Sequence, residues 1–340
     1  MKTAASLLAL GAAGAMFAIA DPAGANDSTA ELAAGGLVLT KTAAIEMKAE
    51  DLYISPKQVR VHYRFANTSD HDVTVTVAFP MPDITTEGFD DMLAIPTQNP
   101  TNFLDFHTTV DGRPVTASLE RKAIKNGVDH SALLRSLGVP LAPHLAFTNQ
   151  VLDGLPQARK DQLVKLGLAV VDDYDDNGKG MVHHLDATWT LKTTYYWTQT
   201  FPAGREVIVE HRYKPAVGES AGTSWGSDYW PKDPGYAKAR AHYCVDDDFI
   251  ASARRAMGKG DLSPALTEQR IEYILTTGGN WKAPIGDFHM TIDKGDPAAL
   301  VSFCGEGVVK TGPTTFEVRH ANYMPTQEVS VLILKRLGKQ

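Results

Sequence analysis

The sequence predicts a mainly β protein: two β-sandwich-like regions with a helical insertion between them. Three observations predict it. Apolar and polar residues alternate with period two through residues 58–65, 73–79, 189–197 and 207–213, the pattern of strands with one face on a core. Turn residues separate these runs, as many short strands in a sandwich require. Residues 126–184 lose the alternation and carry helix signals instead.

Taken in order, Val59, Val61, Tyr63 and Phe65 face one way, and Gln58, Arg60, His62 and Arg64 the other. Asn67-Thr68-Ser69-Asp70 then supplies turn chemistry, and Val73, Val75, Val77 and Phe79 resume the alternation. The pair reads as an antiparallel hairpin ending at Pro80 and Pro82, because proline cannot donate to a ladder. Leu104 to Val110 and Val115 to Leu119 flank Asp111-Gly112, which predicts a second hairpin because both turn positions need positive φ. Asp129 is positioned to cap a helix through Leu133, Leu134 and Leu137 to Gly138, and Pro156 to start another.

The C-terminal half returns to strands. Trp189 to Trp197 alternate, Pro202 and Gly204 turn, and Val207 to Tyr213 alternate again. Ile271-Tyr273-Leu275 and Phe288-Met290-Ile292 repeat the pattern, and Val329 to Leu334 is an almost wholly apolar run that fits a buried strand. One helix, near 246–258, interrupts. It opens on Asp246-Asp247-Asp248 and closes with Arg254-Arg255 and Gly258, a charge order that suits the helix dipole. The implied organisation is an N-terminal β-rich domain at 26–125, the insertion at 126–184 and a C-terminal β-rich domain at 185–340.

Residues 1–25 read as a secretory signal peptide. Lys2 precedes a small and apolar run, and Ala23-Gly24-Ala25 supplies a small-x-small cleavage site before Asn26. The mature chain is therefore expected in the periplasm or secreted. No later run is long and apolar enough for a membrane span. Lys2 and Asp21 leave together, so the net charge stays at -7. That acidic balance argues against nucleic acid as a partner. In an oxidising compartment Cys244 and Cys304, the only cysteines, have one intramolecular pairing and are expected to form a disulfide.

Several stretches carry a family likeness: Asn26-Asp27-Ser28, residues 31–40 (ELAAGGLVLT), Glu50 to Pro56, Ala78 to Ile84, Tyr243 to Asp246, Trp281 to Gly286 and Ser302 to Gly307. Together they resemble an exported bacterial family called domain of unknown function 4424, across essentially the whole mature chain. The resemblance implies a bacterial envelope protein. It implies no activity and no catalytic residues.

Candidate sites are few. Asp173, Asp175 and Asn177, followed by Gly178, match the opening of a calcium loop, but the twelfth position is His184 rather than a bidentate Glu. Calcium is thus the only cofactor the pattern raises, against a plain acidic turn. His183 and His184 point to opposite faces of a strand and cannot share one ion, and Asp105 with His107 lacks a third ligand. Trp225, Tyr229, Trp230 and Tyr236 lie in a Gly/Ser/Pro-rich loop. They would either stack on a sugar or anchor a partner, or plug the end of a sandwich. No nucleophile elbow, P-loop or dinucleotide fingerprint occurs. The expected function is non-catalytic binding or scaffolding of an envelope protein or a glycan. The alternative is a hydrolase of envelope material with carboxylates from distant segments.

Overall fold

The computed structural model describes residues 26–33, 36–86, 92–175, 180–257 and 266–336. The signal segment 1–25, the side chain of Asp175 and Asn177 lie outside the described residues.

The chain opens with β1 (Ser28–Ala33), β2 (Gly36–Thr40), β3 (Ile45–Ile54), β4 (Val59–Asn67) and β5 (Val73–Pro80). Then come β6 (Met92–Ala94), β7 (His107–Val110), β8 (Arg113–Val115), β9 (Ser118–Lys125) and β10 (Val128–Asp129). The insertion holds α1 (Ser131–Ser136), α2 (Ala146–Asp153) and α3 (Gln157–Lys165), followed by the hairpin β11 (Ala169–Asp175) and β12 (Met181–Ala187). Next are β13 (Thr190–Phe201), β14 (Glu206–Tyr213), β15 (Val217–Ser220), α4 (Tyr236–His242) and α5 (Asp247–Met257). The final strands are β16 (Leu266–Tyr273), β17 (Ile285–Asp293), β18 (Leu300–Phe303), β19 (Val309–Lys310), β20 (Thr315–Tyr323) and β21 (Val329–Arg336).

The fold is mainly β. Sheet A runs β10-β9-β13-β5-β1-β2, sheet B runs β19-β20-β17-β3-β4-β14-β7-β8, and sheet C runs β18-β21-β16-β15-β6. Each mixes early and late strands, so the expected N-terminal and C-terminal β-rich domains are not separate units. The parallel pair β3–β17 joins residues 49–54 to 287–292 in the middle of sheet B.

One expected hairpin, over residues 58–79, is corrected. β4 pairs with β3 and β14 in sheet B, whereas β5 pairs with β1 and β13 in sheet A. β13 and β14 are divided in the same way. Each turn therefore arches between sheets instead of joining neighbours. Apolar burial explains the choice: stacked face to face, the inner residues of both strands leave water together. Phe65 meets Phe201 at 5.8 Å between ring centres, and Phe106 stacks on Tyr195 at 4.2 Å. Asn67 helps fix the arch by donating to the carbonyls of His71 and Phe201, each at 2.8 Å. The Asp111-Gly112 hairpin does form, with φ of 48° and 74° at the two turn residues.

β21 explains its own composition. Val331 and Ile333 enter the main core, while Leu332 and Leu334 enter a second core with Trp225, Val245, Phe249 and Ala253. A strand buried on both faces has no position for a polar residue in those rows. α5 covers that second core, and the Asp246 carboxylate accepts from the Phe249 amide at 2.7 Å, capping the helix. Cys244 and Cys304 form a disulfide with Cα atoms 5.1 Å apart, tying the start of α5 to the end of β18. Among the described residues no helix is long and apolar enough to cross a membrane.

Candidate functional site

Two features stand out: a polar cluster sealed inside the protein, and a charged groove on the outside of sheet B.

The cluster forms where the chain enters β1. Asn26, Asp27 and Ser28 have no exposed surface, an unusual place for such residues unless every polar group finds a partner. The Asn26 backbone N–H donates to Thr277 Oγ1 at 2.9 Å, and that hydroxyl donates back to the Asn26 carbonyl at 2.8 Å. The Asn26 amide nitrogen donates to Glu50 Oε2 at 3.0 Å, and its amide oxygen accepts from Tyr63 at 2.5 Å. The Tyr63 and Tyr273 hydroxyls lie 3.2 Å apart. Trp281 Nε1 donates to the Asp27 carbonyl at 2.8 Å, and His211 Nε2 lies 3.0 Å from Asp27 Oδ1. Asp27 Oδ2 and His211 Nδ1 are buried without a hydrogen-bond partner.

Strand alternation aims these groups inward: Glu50, Tyr63 and His211 lie on β3, β4 and β14 of sheet B, and Tyr273 on β16 of sheet C. Thr277 sits in the 3-10 turn Thr276–Asn280. Gly278 makes room, since a Cβ there would lie 2.7 Å from the Asn26 amide nitrogen. Burial pushes the Glu50 carboxyl up to about 8 and raises the Asp27 carboxyl against the pull of His211. The sealed cluster is too enclosed to meet a substrate.

The groove lies on the opposite face of the same strands and is ≈ 410 Å³ in volume. Register places Asp51, His62, Glu210 and Thr109 in one cross-strand row, and Tyr53, Arg60, Arg212 and His107 in the next. Arg60 and Arg212 are direct cross-strand neighbours and both are exposed. Like charges in that relation destabilise a sheet. Arg60 rests 4.4 Å above the Tyr53 ring, whose hydroxyl donates to Asp293 at 2.8 Å. Neither arginine has an ion pair among the described residues. At the groove's edge Asp105 takes His107 at 3.0 Å and Lys214 at 3.2 Å. Those contacts hold its carboxyl below the usual range, the His107 hydrogen bond first. The groove thus holds two adjacent guanidinium groups in one row and the carboxylates Asp51 and Glu210 in the next.

Of the residues singled out from sequence, Asp105 and His107 meet at the groove's edge, and the others are placed elsewhere. Trp225 is 1 % exposed and anchors the second core, with Trp230 at 4.2 Å and Tyr236 at 6.0 Å between ring centres. Tyr229 is 66 % exposed, its hydroxyl 3.1 Å from Ser224. Asp173 binds His183 at 2.6 Å, and His184 binds Asp153 at 2.5 Å on the other face of β12. Among the described residues no group of three or more His, Cys, Asp or Glu could hold a metal. Sequence reasoning missed both the cluster and the groove. The Arg60–Arg212 relation needs the β4–β14 pairing, and the Asn26–Thr277 contact spans 251 positions.

A family model described as Domain of unknown function (DUF4424) matches residues 25–332. No curated protein matches the chain. Among solved structures, one provisionally described as a nutrient-binding protein from Legionella pneumophila is 16% identical, with a TM-score of 0.43, covering 91% of this chain and 70% of that one. An M1 zinc metallopeptidase from Deinococcus radiodurans is 8% identical, with a TM-score of 0.21, covering 87% of this chain and 43% of that one.

Proposed function

The chain belongs to the DUF4424 family, a domain of unknown function, and from that footing we propose that it is an exported envelope protein, processed after Ala25, that binds an acidic glycan on the outer face of sheet B. The observation that carries this reading is the Arg60–Arg212 pair, two adjacent guanidinium groups that make no ion pair among the described residues. Guanidinium groups bind carboxylates in forked geometry. The Tyr53 ring beside them offers apolar surface of the kind on which a sugar ring stacks. The rigid sheet holds these groups without loop ordering, which lowers the cost of binding.

The test is a thermal-shift and calorimetric titration with acidic and neutral oligosaccharides at low and high salt. A ligand that binds only the folded state raises the melting temperature. Acidic chains are expected to raise it, with the effect lost in high salt and in Arg60→Glu and Arg212→Glu. Equal responses to neutral and acidic chains, or binding unchanged in both variants, would overturn the reading.

A second reading, hydrolysis of the same glycan, is favoured by Asp51 and Glu210 flanking His62 in one row. Those strands are two inter-strand spacings apart, about 10 Å, somewhat wider than inverting carboxylate pairs. Release of reducing ends, abolished in Asp51→Asn and Glu210→Gln, supports this second reading; none from the mature protein sinks it.

A further inference from the structure

We propose that the sealed polar cluster is a receptor for the chain's own α-ammonium group, created at Asn26 when the bond after Ala25 is cut. The inference rests on the export reading above. The step is a hydrolysis: one water adds across the Ala25–Asn26 amide, Ala25 keeps a carboxylate, and the Asn26 nitrogen leaves as an amine that takes up a proton.

The cluster has the chemistry of such a site. The Asn26 nitrogen is wholly buried and already seated on Thr277 Oγ1 at 2.9 Å. As a peptide amide it supplies one donor and no charge. As an ammonium it supplies three donors and a positive charge. The titratable groups around it are Asp27, Glu50, Tyr63, His211 and Tyr273, all buried. Two of these are carboxyls, and His211 is the only basic side chain among them. An ammonium would place a positive charge beside these two buried carboxyls. It would also bring donors into a site where Asp27 Oδ2 has none. Buried charges persist only when paired and hydrogen-bonded, so a cation seated here gives a buried carboxylate the partner it needs to ionise. Gly278 leaves room for the Asn26 side chain, whose amide nitrogen would lie 2.7 Å from a Cβ there. Processing would then be a structural step: the leader's removal produces the charge that ties the segment entering β1 of sheet A to the groups of sheets B and C.

The experiment compares a chain beginning at Asn26 with one beginning at Ala25, which restores an amide at Asn26, and each with its Glu50→Gln variant. The Asn26 chain is expected to melt several degrees higher at neutral pH, and the gap to narrow in Glu50→Gln. Independently, an amine-reactive reagent is expected to label the α-amine of the native Asn26 chain many-fold more slowly than that of the denatured chain. Equal melting of the two chains, or labelling as fast in the native state as in denaturant, overturns the receptor while leaving export standing. N-terminal sequencing of the exported protein separates the two ideas: a terminus other than Asn26 overturns the processing reading on which the receptor rests.

Discussion

His211 Nε2 lies 3.0 Å from Asp27 Oδ1, and neither side chain has any surface in solvent. This contact joins β14 in sheet B to the residue just before β1 of sheet A. Removing one member leaves the other buried and unpaired, which typically costs about 3–5 kcal/mol. Asp27→Ala and His211→Ala should each show that loss in urea unfolding. Asp27→Asn, which keeps an oxygen for the bond, should lose less. A double variant much less damaged than the sum of the singles is the expected sign of coupling.

A pH dependence follows from Glu50. In a chain with an amide at Asn26, burial holds its carboxyl at about 8, against 4.5 for the free group. The Asp27 charge adds to the rise, and hydrogen bonds from Asn26 and Tyr273 oppose it. Tyr63 and His211 are the other titratable groups of the cluster, and Tyr323 also interacts with Glu50 electrostatically. The folded state holds this proton more tightly than the unfolded state. Its stabilising contribution is therefore complete below pH 4.5 and is lost as pH rises through about 8. Unfolding midpoints of the Ala25-initiated chain should fall across that window, and Glu50→Gln should flatten the slope. A slope unchanged by Glu50→Gln would show that another group carries it.

The disulfide separates Cys244 and Cys304 by 60 positions. A loop of that size stabilises by about 4 kcal/mol in the chain-entropy model. Thermal unfolding with and without reductant, and of the Cys244→Ala/Cys304→Ala chain, should show that loss as a lowered melting temperature. Matching curves would mean that the bond constrains little of the unfolded chain.

The aromatic loop gives a sharp contrast. Trp225 is 1 % exposed, so Trp225→Ala should cost about 3–5 kcal/mol as a core deletion. Tyr229 is 66 % exposed, so Tyr229→Ala should stay within about 0.5 kcal/mol. Chemical denaturation of the two variants side by side checks both.

What was legible in the sequence is local. Period-two alternation marked β4, β5, β13, β14 and β17, and acids before Phe249 marked the start of α5. Asp111-Gly112 marked its hairpin because the turn needs positive φ at both residues. Strand partnership was not legible. A turn such as Asn67-Thr68-Ser69-Asp70 serves a hairpin or an arch equally well, and only burial across the interior, as in the edge-on contact of Phe65 with Phe201, decides. The cluster was hidden for the same reason. Asn26, Glu50, His211 and Thr277 have no common spacing, because four separate segments deliver them. Their types misled as well, since Asn, Asp and Glu read as surface residues until buried partners appear.

The interleaving of early and late strands has a kinetic meaning. β3 waits for β17 on one side, and sheet C cannot close until β21 slots between β18 and β16. Pairings so distant along the chain slow folding, because long loops must close before any contact is gained. While the ribosome is still short of Val329, the nascent polypeptide lacks the strand that both cores share. Neither core can therefore be completed until almost the whole chain has been made.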